Sequence, residues 1–359
     1  MTTKILSIGL GGVGVIVSYG LEKFNENVEI TAVIRSDYDT VMSKGYTISS
    51  CDYGGRSPNG ESEVESENIH GYKPSHVVKT LQEASERGPF DFIVVSTKVI
   101  PTNDNVWDHI ISLQKSLLKP TSNRDDQTAI VLIQNGIDIE KYWAPVRDHV
   151  TLISGVTYIS STNVKGKISQ YNHDTNQFGL FDPSQGSQKL LEQFISLYEN
   201  KHNTTKLDSN TRLTRWKKLL WNASFNTVCC LTDLDVGHVF LSKGNINVIK
   251  PIMKEIKYVA NFDLNGYPEA RDDTHVHITD KDIDTTLKGT EDFDAATFYQ
   301  PSMLVDYRQG RQIELEVILG NIVNTYAANG GDKTKIPQLN LLYGLLSMVS
   351  YRIDESRKK

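Results

Sequence analysis

Cysteine is scarce and poorly placed for either of its structural uses. Of 359 residues only three are cysteine, Cys51 and the adjacent pair Cys229 and Cys230. Neighbouring cysteines rarely bridge, and none of these has metal-ligand spacing, so a disulfide framework is not expected and a reducing compartment fits better. Long apolar runs are missing as well. No stretch approaches the ~20 apolar residues of a membrane span. The first apolar run, Ile5 to Leu10, is short and lacks the charged flank and cleavage pattern of a signal peptide. Nor is positive charge in excess: the formal net charge is −6, which gives no electrostatic reason to expect nucleic acid or an anionic membrane as partner. The chain therefore reads as soluble and cytoplasmic, and any basic residue that matters must act locally. His275-x-His277 lies in a polar Asp/Thr-rich segment without companion ligands. It is read as loop, and no metal is expected.

What the sequence does contain is an alternation of short apolar runs with helical patterns. Lys4 to Gly9 reads as a buried strand, Val13 to Phe24 as the helix after it, and Val28 to Ile34 as a second strand closing a β-α-β unit. Phe90 to Thr97 and Thr128 to Gln134 are two more strand-length runs, with helical spacing over Asn105 to Leu118 between them. This alternation argues for a parallel, doubly wound sheet. Tyr53 to Asn68 is acidic and rich in Gly, Ser and Asn, and reads as a poorly ordered surface insertion around residues 53–69. Val150 to Phe181 turns to short β segments, with Lys165-Gly166-Lys167 as a turn. After about Leu207 helix-length patterns take over, at Arg212 to Leu231, Asn247 to Asp263, Ile313 to Asn329 and Gln338 to Tyr351. The expected fold class is α/β: a Rossmann-like N-terminal domain over 1–207, then an all-helical C-terminal domain over 208–359. The last two helices are apolar enough to pack on the domain core or on a second subunit, which leaves a homodimer open.

The run Gly9-Leu10-Gly11-Gly12-Val13-Gly14 fits G-x-G-x-x-G directly after a strand and at the opening of a helix. The first glycine permits a tight turn, the second lets backbone approach a pyrophosphate, and the third lets helix and strand pack closely. The helix N-terminus adds free N–H groups for the anion. A bare match is weak evidence, but the strand and helix on either side strengthen it. At the end of the second strand stands Arg35-Ser36, where NAD-specific sites usually carry an acidic residue. A guanidinium can clamp a phosphate bidentately, so NADP(H) is the expected cofactor, although Asp37 is close by. Thr97-Lys98 and Gln134-Asn135-Gly136 follow later strands and fall on the same functional edge.

In Trp216 to Asn226 the residues Lys218, Asn222 and Asn226 recur every fourth position among Leu219, Leu220, Trp221, Ala223 and Phe225. On a helix they form one polar stripe on an otherwise apolar element. Such a stripe either faces solvent or lines a wet cleft. Downstream, the segment opening at Pro301-Ser302-Met303-Leu304 carries a hydroxyl and, twelve residues after Ser302, the carboxylate Glu314. A carboxylate near Lys218 would supply the counter-charge that a buried amine requires.

Taken together, these segments resemble the ketopantoate reductase (2-dehydropantoate 2-reductase) family, nearly end to end except for the acidic insertion. The resemblance implies NADPH-dependent reduction of ketopantoate to pantoate, a step toward coenzyme A, in a site closed between the two domains. It implies that Lys218 is the catalytic proton donor. Glu314 matches a carboxylate near the cofactor, and Asn135 touches both substrate and nicotinamide ribose. Asn222, Asn226 and Ser302 match substrate-binding positions, and Lys98 and Ser161 match cofactor contacts. Val236 and Tyr299 stand near positions where the family's best-known members carry pocket asparagines. That difference keeps another 2-oxo acid, keto ester or ketone open as substrate. A non-catalytic NADP-binding sensor or interaction protein is the alternative of another class.

Overall fold

The computed structural model describes residues 2–101, 104–265 and 276–358. His275 therefore lies outside the described residues, while His277 hydrogen-bonds to Asn265 at 2.8 Å. The chain forms two compact units. The first comprises residues 1–98, 103–134 and 140–211, and the second comprises 99–102, 135–139 and 212–359.

The first unit is built on an eight-stranded sheet. Its strands, numbered along the chain, are β1 (Thr3–Ile8), β2 (Val28–Val33), β5 (His76–Val78), β6 (Phe92–Val95), β7 (Thr128–Leu132), β8 (Val150–Thr157), β11 (Thr175–Leu180) and β12 (Thr204–Leu207), in the order β12-β11-β8-β7-β6-β1-β2-β5. Every pairing is parallel except β8 with β11. Parallel strands covered on both faces read as unbroken apolar runs, and all residues of β6 and β7 are buried. β1 has β2 on one side and β6 on the other, so the strand order reverses there. That is where an open α/β sheet leaves a crevice beyond its carboxyl ends.

A smaller four-stranded sheet, order β4-β3-β10-β9, joins β3 (Tyr46–Ser50), β4 (Ile69–Tyr72), β9 (Ser161–Val164) and β10 (Lys167–Gln170). The turn between β9 and β10 falls at Lys165 and Gly166, both at positive φ. The acidic insertion is not the poorly ordered segment its composition suggests. Ser50 bridges to Gly54 and Gly55, and Arg56 bridges to Glu63. The Arg56 guanidinium stacks over Tyr171 at 4.5 Å, and Tyr53 packs edge-on against Tyr19 at 5.2 Å. Aromatic and guanidinium contacts outweigh the polar, glycine-rich composition.

Among its described residues the second unit is built of helices joined by loops, with no strand. Helix Thr211–Trp221 runs through a π segment, Asn222–Asn226, into helix Thr227–Thr232. Further helices are Val236–Leu241, Lys250–Leu264, Asp280–Gly289, Ser302–Arg308, Asn321–Ala328 and Pro337–Arg357. Among the described residues no helix is long and apolar enough to cross a membrane. The three cysteines are free, and burial pushes each thiol up to about 12.

Candidate active site

In the first unit, the loop after β1 is shaped by its glycines. Gly9 sits at φ +97, and a Cβ there would come within 2.4 Å of the Thr97 nitrogen. A Cβ on Gly14 would meet the Gly9 carbonyl oxygen at 2.2 Å, and one on Gly12 would meet the Ser161 carbonyl at 2.4 Å. Helix Gly12–Lys23 is thus locked against the end of β1 and against β9. Gly11 differs, because a Cβ there would have nothing within 4 Å. Packing does not demand glycine at Gly11, whereas close approach of a dinucleotide would. The helix has no acidic residue in its first turn, as an anion site requires. Ser161 Oγ is buried without a hydrogen-bond partner among the described residues. These features fit a bound dinucleotide.

Arg35 and Ser36 are exposed beyond the end of β2. Asp37, the residue that complicated the cofactor assignment, is engaged: Asn163 Nδ2 donates to its carboxylate at 2.8 Å and to the Leu10 carbonyl at 3.0 Å. Gln134 Nε2 donates to the Thr97 carbonyl at 2.7 Å, tying the ends of β7 and β6. Lys98 is exposed on the same edge.

In the second unit, Lys218 Nζ donates to Asn135 Oδ1 at 2.7 Å. Lys218 is partly buried, and its proton affinity falls to about 7. Loss of solvent around the ammonium contributes most, the Arg215 guanidinium adds to it, and the Glu314 carboxylate opposes both. Glu314 is 8% exposed and accepts from the Val99 N–H at 2.9 Å. The counter-charge expected from sequence is present, acting beside the hydrogen bond from Lys218 to Asn135.

Asn222 and Asn226 are buried in the π segment that continues the Lys218 helix. Such segments concentrate at functional sites because the extra residue per turn re-aims side chains. Asn226 Oδ1 accepts from the Met303 N–H at 3.0 Å, which brings the start of the Ser302 helix to the stripe. Ser302 itself is exposed. Asn135, Lys218, Asn222, Asn226, Ser302 and Glu314 thus all belong to the second unit. Gly9 to Gly14, Arg35, Ser36, Lys98 and Ser161 belong to the first.

Sequence reasoning did not single out Arg215, which lies one turn before Lys218 and donates from Nη1 to the Gly136 carbonyl at 2.9 Å. Its spacing from Lys218 was visible, but nothing in the sequence separates a buried arginine from the many that are solvated. The same applies to Arg212, whose guanidinium binds Asp263 through two nitrogens, at 2.6 and 2.7 Å, and Asp138 at 2.9 Å.

Two family descriptions match the chain: "Ketopantoate reductase PanE/ApbA" over residues 5–183 and "Ketopantoate reductase PanE/ApbA C terminal" over residues 210–350. An uncharacterized protein of Saccharomyces cerevisiae is 34% identical over 99% of this chain and 96% of its own length. A 2-dehydropantoate 2-reductase of Nostoc is 23% identical over 97% of this chain and 96% of its own length. The crystal structure of 2-dehydropantoate 2-reductase from Methylococcus capsulatus superposes with a TM-score of 0.71 at 27% identity, covering 98% of this chain and 97% of that one. The chain belongs to the ketopantoate reductase family and is an oxidoreductase.

Proposed function

We propose that the protein reduces 2-dehydropantoate (ketopantoate) to pantoate with NADPH, Lys218 giving the proton. The observation that carries this reading is Lys218 itself, a partly buried amine with proton affinity near 7, hydrogen-bonded to Asn135. When bound, the reduced nicotinamide supplies a hydride to the carbonyl carbon. All other steps fall to side chains of this protein. Negative charge builds on the substrate oxygen, and the Lys218 ammonium stabilises it and then transfers its proton. An amine that titrates near neutrality gives up that proton readily and recovers it from solvent. Asn135 aims the ammonium through its Oδ1. Asn222, Asn226 and Ser302 provide hydrogen-bonding groups for the substrate's polar atoms, and Asn226 is held in place by Met303. Arg35 and Ser36 take the 2′-phosphate, a preference for NADP(H) supported by the engagement of Asp37 with Asn163.

The test is NADPH oxidation with ketopantoate, with Lys218→Ala and an NADH control beside it. The expected outcome is turnover that falls by about 10²–10⁴-fold in Lys218→Ala and is poor with NADH. Inertness toward ketopantoate, while another 2-oxo acid is reduced in a Lys218-dependent way, would overturn the substrate but keep the chemistry.

A specific observation supports that second reading. Val236 is fully buried and donates its N–H to the Tyr299 carbonyl at 3.0 Å, and the Tyr299 ring lies 6.1 Å from Trp221. Apolar and aromatic groups in place of polar ones at these positions suit an oxo substrate with fewer hydrogen-bonding groups than ketopantoate.

A further inference from the structure

Lys218 shares its helix with a second buried cation. Arg215 stands three residues earlier, so the two side chains are neighbours on the helix surface. Arg215 is 4% exposed. A guanidinium stays protonated at any pH the protein experiences, whereas a lysine amine does not. The charge that Lys218 faces is therefore permanent on the Arg215 side. It is opposed by Glu314, while Lys217, on the same helix, is exposed and turns to Asp282 at 3.6 Å.

Arg215 also holds the loop that holds Lys218. Its Nη1 donates to the Gly136 carbonyl at 2.9 Å, and Gly136 follows Asn135, which accepts from Lys218. The rest of that loop is fixed as well. Gly136 sits at φ +98, where a Cβ would come within 2.4 Å of the Val317 carbonyl oxygen. The Ile137 N–H donates to that same carbonyl at 3.0 Å, and Asn321 Nδ2 donates to the Ile137 carbonyl at 2.7 Å. Asp138, at φ +57, accepts from Arg212 and from Thr325 Oγ1, both at 2.9 Å. Of these clamps, Arg215 is the one that carries a charge felt by Lys218.

We propose that Arg215 is a positioning residue for proton transfer, fixing Asn135 through the Gly136 carbonyl and placing a permanent positive charge beside Lys218. The inference rests on Lys218 being the proton donor. Burial alone lowers an amine's hold on its proton, and an adjacent fixed cation lowers it further. The donor is thereby matched to neutral pH, where a lysine of ordinary affinity would release its proton too reluctantly.

The experiment is residue-resolved acylation of Lys218 by acetic anhydride, which attacks only the neutral amine. It is read by mass spectrometry as a function of pH in the full chain, for wild type, Arg215→Gln and Arg215→Lys. Circular dichroism confirms folding. The expected wild-type midpoint lies near 7. In Arg215→Gln it rises by about one pH unit or more, and in Arg215→Lys it returns most of the way. The alkaline limb of kcat against pH should move in the same direction, and kcat should fall more than KM rises, because Asn222, Asn226 and Ser302 are untouched and only Asn135 loses its clamp. An unchanged midpoint in folded Arg215→Gln would overturn the proposal. If that variant does not fold, a wild-type midpoint at the ordinary lysine value would overturn it instead. The labelling needs no turnover, so it is separable from the donor assignment. An active Lys218→Ala enzyme would sink the donor role and leave the labelling result standing.

Discussion

Lys218 and Asp174 are both ionisable groups deprived of solvent, and the loss acts on them with opposite sign. In Lys218 it weakens the hold on a proton, which suits a donor. Asp174 is fully buried in the first unit, accepting from Tyr198 Oη at 2.5 Å and from Asn176 Nδ2 at 2.7 Å, and burial pushes its carboxyl up to about 6. An unfolded chain returns it to its ordinary value near 3.8. Between those values the folded state binds more protons. Asp174 therefore contributes its stability in full below about 4, and loses it as pH rises through about 6. Asp174→Asn, which keeps the shape without the charge, should gain on wild type as pH climbs from about 4 to about 7, by up to about 3 kcal/mol. Paired thermal melts across that range measure it, and a constant difference would show that Asp174 does not titrate there. The two residues also differ in legibility. Lys218 stood out because two asparagines repeat its spacing on an apolar helix. Asp174 is one of the chain's 44 acidic residues, and nothing nearby in sequence marks it as buried.

Elements built from unbroken apolar runs were the legible ones. β2, β6 and β7 fall within the runs that suggested them, and β1 begins one residue before its run, because a strand covered on both faces has no polar face to confuse the pattern. The short strands β9 and β10, Ser161 to Val164 and Lys167 to Gln170, are half polar but fall within the stretch read as short β segments, whereas β4, Ile69 to Tyr72, resembles loop. The pattern over Asn105 to Leu118 covers two helices, Val106–Ser112 and Gln114–Leu117, instead of one. The π segment under Asn222 and Asn226 left no mark either, since a wider hydrogen-bond step needs no particular residue type. The physical cause of the glycine loop was legible only in part. Gly12 and Gly14 are required by close packing, while Gly11 is not. Gly12→Ala should therefore cost about 1–3 kcal/mol of stability. Gly11→Ala should leave the melting midpoint nearly unchanged, within about 0.5 kcal/mol, and weaken NADPH binding alone. Melts combined with fluorescence titration separate the two effects. A Gly11→Ala protein that binds NADPH normally would remove the loop from the cofactor site.

Across the whole molecule, the residues proposed to hold the cofactor's phosphates and the proposed proton donor belong to different units. The glycine loop, Arg35 and Ser36 lie in the first, and Lys218, its partners Asn135 and Glu314, and the asparagine stripe lie in the second. With a net charge of −6 the protein repels a polyanionic cofactor at long range, so recognition of its phosphate must come from groups placed at the site. Arg35 is the cation at the end of β2, and its loss should be felt by NADPH and not by NADH. A charge-assisted bidentate contact is worth about 1.5–3 kcal/mol, so Arg35→Ala should weaken NADPH by about 10–100-fold and leave NADH within about threefold. The same variant should keep the ligand-free melting midpoint, because the exposed guanidinium supports no packing. Lys218→Ala should show the converse: lost turnover, with NADPH affinity held within about threefold. Titration of both nucleotides against both variants measures all of this. If Arg35→Ala weakened the two nucleotides equally, the guanidinium would be serving the pyrophosphate, and selection of the 2′-phosphate would pass to Ser36 or Lys98. If Lys218→Ala lost NADPH, Lys218 itself would be contributing to nucleotide binding as well as to proton transfer.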